Sequence, residues 1–316
     1  MTGRWAKEVL ERGINRRTFL KAAGLAAAVA VTGCVGASTP APSITAPAAP
    51  PASNKLIVAT DPDPAKLVDK AVDALGGLPI RKNDKVLVKA NFSFARTVDQ
   101  AASNHPQVLA RLMERCKDAG AAEVTAFDHT IDNAKLCLEK SGIQAALDAA
   151  GFKAVDVGAS GDYEARQIDG PTLKDTQIAR ILKDADVLIN VPVIKSHGNT
   201  RLTAGMKNLM GVIQDRGAFH VSDLDACIAD LAYVVRPTLV VADAYRVLKA
   251  GGPNGGSPDD ISHPQQLIVG YDQVAADSYA ATLIGLSGKD VGHIVKAYQR
   301  GLGEMDLDKV PVQKVV

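Results

Sequence analysis

The stretch VLINVPVIKSHGNTRLTAGMKNLMGVIQDRGAFH, residues 187–220, opens as a short apolar run and continues as a polar segment crowded with cations and glycines. Residues 187–191 read as a β-strand, because a short apolar run bounded by turn signals has strand length. Beyond it come Lys195, His197, Arg201, Lys207, Asn208, Arg216 and His220, opposed by Asp215 alone. Lys and Arg supply charge-assisted hydrogen bonds, and glycines among them permit close backbone approach, a combination that suits an anionic ligand. A solvated basic loop is the alternative reading of the same charges.

Outward from this stretch, short apolar runs alternate with amphipathic ones. Strands are expected at 56–58, 86–88, 124–127, 154–157, 239–241 and 267–269. Helical spacing marks 64–75, ended by Gly76 and Gly77, and 106–119, ended by Gly120. Further helices are expected as two short patterns up to Ala150, at 176–182, at 224–235 and after Val269. This alternation predicts an α/β fold, a mostly parallel sheet with helices on both faces. In such sheets ligands bind beyond the carboxyl ends of the strands. Lys89 and Asn91 follow the second strand, Asp128 and His129 the third, Asn190, Lys195 and His197 the strand at 187, and Asp243 the strand at 239. Separate strands thus deliver acids, bases and cations to one edge.

Candidate roles follow from residue type. Lys89, Asn91, Lys195, Arg201, Lys207 and Asn208 are candidate ligand-binding residues. His197 and His220 are candidates to move a proton, and Asp128, Asp243 or Asp272 to orient a histidine or hold a cation. Lys89 is equally readable as an ion-pair partner of Asp128 or Asp243. Lys207 and Asn208 are placed on a helix starting near Thr203, whose hydroxyl can cap it and whose free amides would meet an anion beside Lys207. The alternative there is a solvent-facing lysine on an ordinary helix. His105, before Pro106, reads as a turn or cap residue, and His129 as a base or metal ligand beside Asp128. His263 and His293 read as surface residues. The segment GGPNGGSP, 251–258, suits either a lid or a plain surface turn.

Composition narrows the class. At 316 residues, 47% hydrophobic and 22% charged, the chain is globular, with room for one large domain or two small ones. A net charge of +1 and 4% aromatics exclude the basic, stacking surfaces of a nucleic-acid binder, so the local excess of cations points to a small anionic molecule. Asn15-Arg16-Arg17-Thr18-Phe19-Leu20-Lys21 and the apolar run after it read as a twin-arginine export signal. Val31-Thr32-Gly33-Cys34 resembles a lipobox, with Cys34 the lipidated first mature residue; cleavage nearby without a lipid is the alternative. The expected organisation is a signal at 1–34, an Ala/Pro/Ser/Thr-rich tether at 35–54 and an α/β domain at 55–316, exported to the periplasmic side and anchored to a membrane.

Familiar catalytic motifs are missing: no phosphate loop, no Gly-x-Gly-x-x-Gly after a strand, no His-Glu-x-x-His and no Gly-x-Ser-x-Gly elbow. Cys34, Cys116, Cys137 and Cys227 are widely spaced, so an iron-sulfur cluster within this chain is not expected. Other cofactors and any metal stay open. The sequence VLVKAN at 86–91, His105-Pro106, Asn190-Val191-Pro192 with Lys195 and His197, KNLMG at 207–211, Phe219-His220, Val241-Ala242-Asp243, Gly270-Tyr271-Asp272 and Ala276-Asp277 together resemble domain of unknown function 362, across 55–305. Members of that family often carry a ferredoxin-like segment with clustered cysteines, which implies redox chemistry for those members; this chain lacks the clusters. The expectation is an exported enzyme acting on a small anionic molecule, with or without a metal. An anchored binding protein for an anionic metabolite or metal complex, and a redox subunit working with a separate iron-sulfur protein, are the alternatives.

Overall fold

Strands and helices alternate along the computed structural model, which describes residues 55–160 and 163–316. The expected export signal, lipobox with Cys34 and tether lie outside the described residues. The strands are β1 (Leu56–Thr60), β2 (Lys85–Lys89), β3 (Glu123–Asp128), β4 (Lys153–Asp156), β5 (Tyr163–Gln167), β6 (Asp175–Ala179), β7 (Val187–Asn190), β8 (Val193–His197), β9 (Arg201–Thr203), β10 (Leu239–Leu248), β11 (Ile261–Ser262), β12 (Gln266–Gly270) and β13 (Val312–Val315). An 11-stranded sheet runs in the order β13-β1-β12-β10-β7-β2-β3-β4. From β10 to β4 every neighbouring pair is parallel, as is β13 with β1, whereas β12 is antiparallel to both of its neighbours. The fold is therefore α/β, with a mostly parallel sheet.

Strand residues alternate between two cores because successive side chains point to opposite faces. Ile57, Val86, Val88, Ile189 and Val241 face helices Pro64–Leu75, Pro106–Asp118 and Ile143–Ala149. Val58, Leu87, Leu188, Val240 and Ile268 face helices Leu224–Val234, Gln273–Thr282 and Gly292–Gln299. Local signals set the helix ends. Asp63 accepts from Ala65 N at 2.9 Å and Lys66 N at 3.1 Å, Pro64 fills the first turn, and Gly76 closes the helix at φ 87°.

Several expectations change. Residues 176–182 are not a helix: β6 pairs antiparallel with β5, and Arg180–Asp184 follows as a single 3₁₀ stretch. β-branched Thr176 and Ile178 favour the pleated hairpin, and a seven-residue window is too short for period alone to decide. Asp230, buried in helix Leu224–Val234, holds the hairpin turn by accepting from Thr172 N at 2.9 Å and Leu173 N at 2.8 Å, and it pairs with Arg300. β4 stops at Asp156, and Val157 opens a one-turn helix. Thr203 does not start a helix. It ends β9, which folds back on β8 with His197 opposite Arg201, and the helix that follows is only Gly205–Asn208. β10 runs on to Leu248, so Asp243 lies within a strand rather than beyond its end. His293 is fully buried, not on the surface, with Nδ1 3.1 Å from Asp225 Oδ1; His263 is exposed.

Asp230→Ala removes a buried carboxylate and strands two amides and a guanidinium. It should cost about 3 kcal/mol, read as a lower urea midpoint at unchanged slope.

Candidate functional site

The carboxyl end of β2 inserts a charge into the core. Lys89 Nζ is fully buried and donates to Asp128 Oδ1 at 2.8 Å, Ala90 O at 2.7 Å and Asn208 Oδ1 at 3.2 Å. An ammonium has three N–H donors, so Lys89 has none left for a ligand. Burial pushes its pKa down, and Asp128 opposes that shift. The carboxylate is also filled: Oδ1 accepts from His129 N at 2.8 Å, and Oδ2 from Phe92 N at 2.9 Å and Ser93 Oγ at 2.8 Å. Asp128 and Lys89 therefore fasten the loops after β2 and β3 together. Of the two readings of Lys89, the ion pair is the one the geometry displays.

A chain of amides extends from this pair. Asn208 Oδ1 also accepts from Asn91 Nδ2 at 2.9 Å, and Asn208 Nδ2 donates to Asn190 Oδ1 at 2.8 Å. Asn190 Nδ2 donates to Gly205 O at 2.8 Å. Asn91 Oδ1 accepts from Lys195 Nζ at 3.0 Å, and Ala102 O accepts from the same nitrogen at 2.8 Å. Among the described residues Lys195 has no third acceptor and no carboxylate within ion-pair distance, although it is as buried as Lys89. Burial pushes its pKa down to about 7, with Asp128 opposing and Lys207 and Lys89 adding to the fall.

These side chains border a cavity of about 140 Å³ off the carboxyl ends of β2 and β3. It brings together seven of the sequence candidates, Asn91, Asp128, Lys195, His197, Lys207, Asn208 and His220, with Arg216 beside them. Lys207 Nζ lies 3.0 Å from Met210 Sδ, and burial pushes its pKa down to about 8, as does the charge of Arg216. Arg216 donates to His129 O at 2.8 Å and Thr130 O at 2.9 Å. His197 Nδ1 accepts from Asn199 N at 3.1 Å and Thr200 N at 3.3 Å, and burial pushes its pKa down to about 3. The ring is thus neutral with its proton on Nε2, a donor without a spare lone pair for a base. His220 is exposed at the rim, its pKa lowered by its partial burial and by Lys207.

Other candidates lie elsewhere. Arg201 is exposed and donates to Asp290 O at 2.8 Å, outside the cavity lining. Asp243 accepts from His105 N at 2.8 Å, Asn104 Nδ2 at 3.3 Å and Tyr245 N at 3.1 Å, which anchors the start of helix Pro106–Asp118. Asp272 caps helix Gln273–Thr282 through Val274 N and Ala275 N. The first amides of Gly205–Asn208 do not face an anion, because Asp277 accepts from Gly205 N at 2.6 Å and Met206 N at 2.9 Å. His129 Nδ1 sits 2.9 Å from Ile213 O and 3.1 Å from Tyr163 Oη. Among the described residues no group of three or more His, Cys, Asp or Glu is placed to hold a metal.

Sequence reasoning missed Ser93, Phe94, Ile131 and Pro253 as lining residues, read Thr203 only as a helix cap and quoted Met210 only within the KNLMG motif. Pro253 carried a signal in the Gly/Pro-rich segment at 251–258, whereas Ser93, Phe94 and Ile131 carried none. Gly252 N donates to Ser196 Oγ at 3.0 Å, which ties that segment to β8. Gly211 backs the lining where no side chain fits: a Cβ there would meet Asp128 Oδ1 at 2.3 Å and Lys89 Cε at 2.5 Å. Gly211→Ala should force the buried pair apart and cost about 3 kcal/mol, visible as a lowered melting temperature.

Comparison with known proteins gives the relationship. Thylakoid-associated protein sll1697 of Synechocystis is 24% identical over 200 residues, which cover 60% of this chain and 61% of that one, so the chain spans less than two thirds of that relative's length. A crystal structure of a Thermotoga maritima protein superposes with a TM-score of 0.44 and 12% identity, over 71% of this chain and 59% of that one. The lactate racemase apoprotein from Thermoanaerobacterium thermosaccharolyticum gives a TM-score of 0.40 and 14% identity, over 78% and 56%. Residues 86–282, more than half of the chain, match the family described as "Domain of unknown function (DUF362)", and that span holds every residue lining the cavity. The chain belongs to the domain of unknown function 362 family.

Proposed function

We propose that this protein is an enzyme acting on a small anionic molecule held in the cavity at the ends of β2 and β3. The observation that carries the reading is Lys195, a buried amine without a carboxylate partner among the described residues, bordering one cavity with Lys207 and Arg216. Burying uncompensated cations is costly, and an anion arriving between them would recover that cost through charge-assisted hydrogen bonds. Lys207 and Arg216 would hold the anionic group. Lys195, which burial brings down to about 7, and His220, which its partial burial and Lys207 keep below its ordinary value, would move protons. His197 would donate from Nε2 rather than act as a base.

We also propose that the domain works outside the cytoplasm on a tether, from the twin-arginine signal and the candidate lipidated Cys34. A membrane association accords with the name of the thylakoid-associated relative. An anchored binding protein is the second reading. It is favoured by the filled valences of Asp128 and the occupied Nδ1 of His197, which leave few groups to transfer protons. Turnover of any bound anion separates the two.

The amines give the binding a pH dependence. Lys195 and Lys207 are cationic below about 7 and about 8, so acetate or phosphate affinity, measured by calorimetry, should fall as pH rises through that window. Affinity that rises with pH would contradict the reading. Stability runs the other way. The folded pKa of Lys195 lies below its ordinary 10.5, so the unfolded chain binds more protons between the two values, and stability of the ligand-free protein rises with pH across that range. Lys195→Met should weaken anion binding and remove its pH dependence near 7, with Lys207 and Arg216 still in place, while raising the melting temperature at pH 7 and below.

A further inference from the structure

Lys89 and Lys195 are both buried amines at the carboxyl edge of the sheet, and their surroundings differ by one valence. Lys89 Nζ has three acceptors, one of them a carboxylate. Lys195 Nζ has two, an amide oxygen and a backbone carbonyl, and its other near neighbour is the Phe94 ring, with 5.4 Å from nitrogen to centroid. A neutral amine carries two N–H donors and a lone pair, so two acceptors satisfy it completely and leave the lone pair without a protein partner. Lys207 and Lys89 disfavour a further positive charge on Lys195, and Lys207 and Arg216, which line the same cavity, attract a carboxylate. An unprotonated amine beside fixed cations is a nucleophile toward carbonyl carbon.

We propose that Lys195 forms an imine with the carbonyl carbon of a small oxo acid, an inference that rests on the reading of the cavity as an anion site. The oxo acid's carboxylate lies against Lys207 and Arg216, and its carbonyl carbon meets Lys195. The nitrogen lone pair forms the C–N bond as the carbonyl π pair moves to oxygen. That oxygen takes the proton the nitrogen gives up, while the Nε2–H of neutral His197 donates a hydrogen bond that stabilises it. The hydroxyl then takes a second proton and leaves as water, so amine, carbonyl and one proton become an iminium and one water with no change of oxidation state. The iminium withdraws electrons from the neighbouring carbon, which opens proton abstraction or decarboxylation there. A cavity of about 140 Å³ has room for a small oxo acid.

The test uses glyoxylate, the smallest oxo acid, with cyanoborohydride at pH 7 on the purified protein. Hydride transfer to the iminium fixes it as a carboxymethyl amine, and peptide mapping locates it. The expected result is labelling of Lys195 ahead of the exposed lysines, suppressed by acetate and absent from Lys195→Arg. The parent protein's own map decides if that variant does not fold. If Lys195 stays unlabelled, or labels no faster than surface lysines, while glyoxylate raises the melting temperature, imine formation is overturned and the anion-site reading stands. If glyoxylate neither labels Lys195 nor shifts melting, both are overturned.

Discussion

The buried contact between Lys89 and Asp128, with Asn208 as the third acceptor, is the constraint on which the site depends. A buried ion pair is tolerable only when its remaining donors and acceptors are filled, and here Phe92, Ser93, His129 and Ala90 fill them from the loops after β2 and β3. Those loops are consequently fastened to each other through the pair. Gly211 is required beneath it because the pair occupies the space a Cβ would take. From Asn208 the same network reaches Asn91 and so fixes the height of Lys195 at the cavity wall.

Buried charge thus has two uses within one network. At Lys89 it is compensated and structural; at Lys195 no carboxylate among the described residues compensates it, and on the proposed reading an arriving anion would do so. Such local conflict with the rules of burial is typical of functional sites. Asp277 shows the complementary case: a buried carboxylate whose pKa desolvation raises to about 6 takes the first amides of Gly205–Asn208 and so closes that helix end to ligands.

Much of the frame was legible in the sequence because its signals are local. Asp63, Pro64 and Gly76 bracket one helix, and apolar runs such as 187–191 allow little besides a buried strand. The hairpin of β5 and β6 was not legible, since its register rests on Asp230, more than fifty positions away. The same limit applies to the site. Lys195, Lys207 and Asn208 could be picked by type and company, but nothing in their spacing tells a saturated lysine from an open one. Asp243 looked like a strand-end acid only because β10 continues past it through Tyr245 and Arg246, polar residues that a hydrophobic pattern does not extend across. Arg201 belonged to the basic segment in sequence, yet the turn between β8 and β9 carries it toward Asp290.

The most direct test of the account is a carbon-13 NMR titration of the lysine ε-methylenes, with Lys195 assigned by the loss of its signal in Lys195→Met. The account predicts a midpoint near 7 for Lys195 in the ligand-free protein, moving upward when phosphate or acetate is added. A midpoint at the ordinary value of 10.5, or one that anions leave unmoved, would contradict the claim that this amine is held open for an anionic ligand.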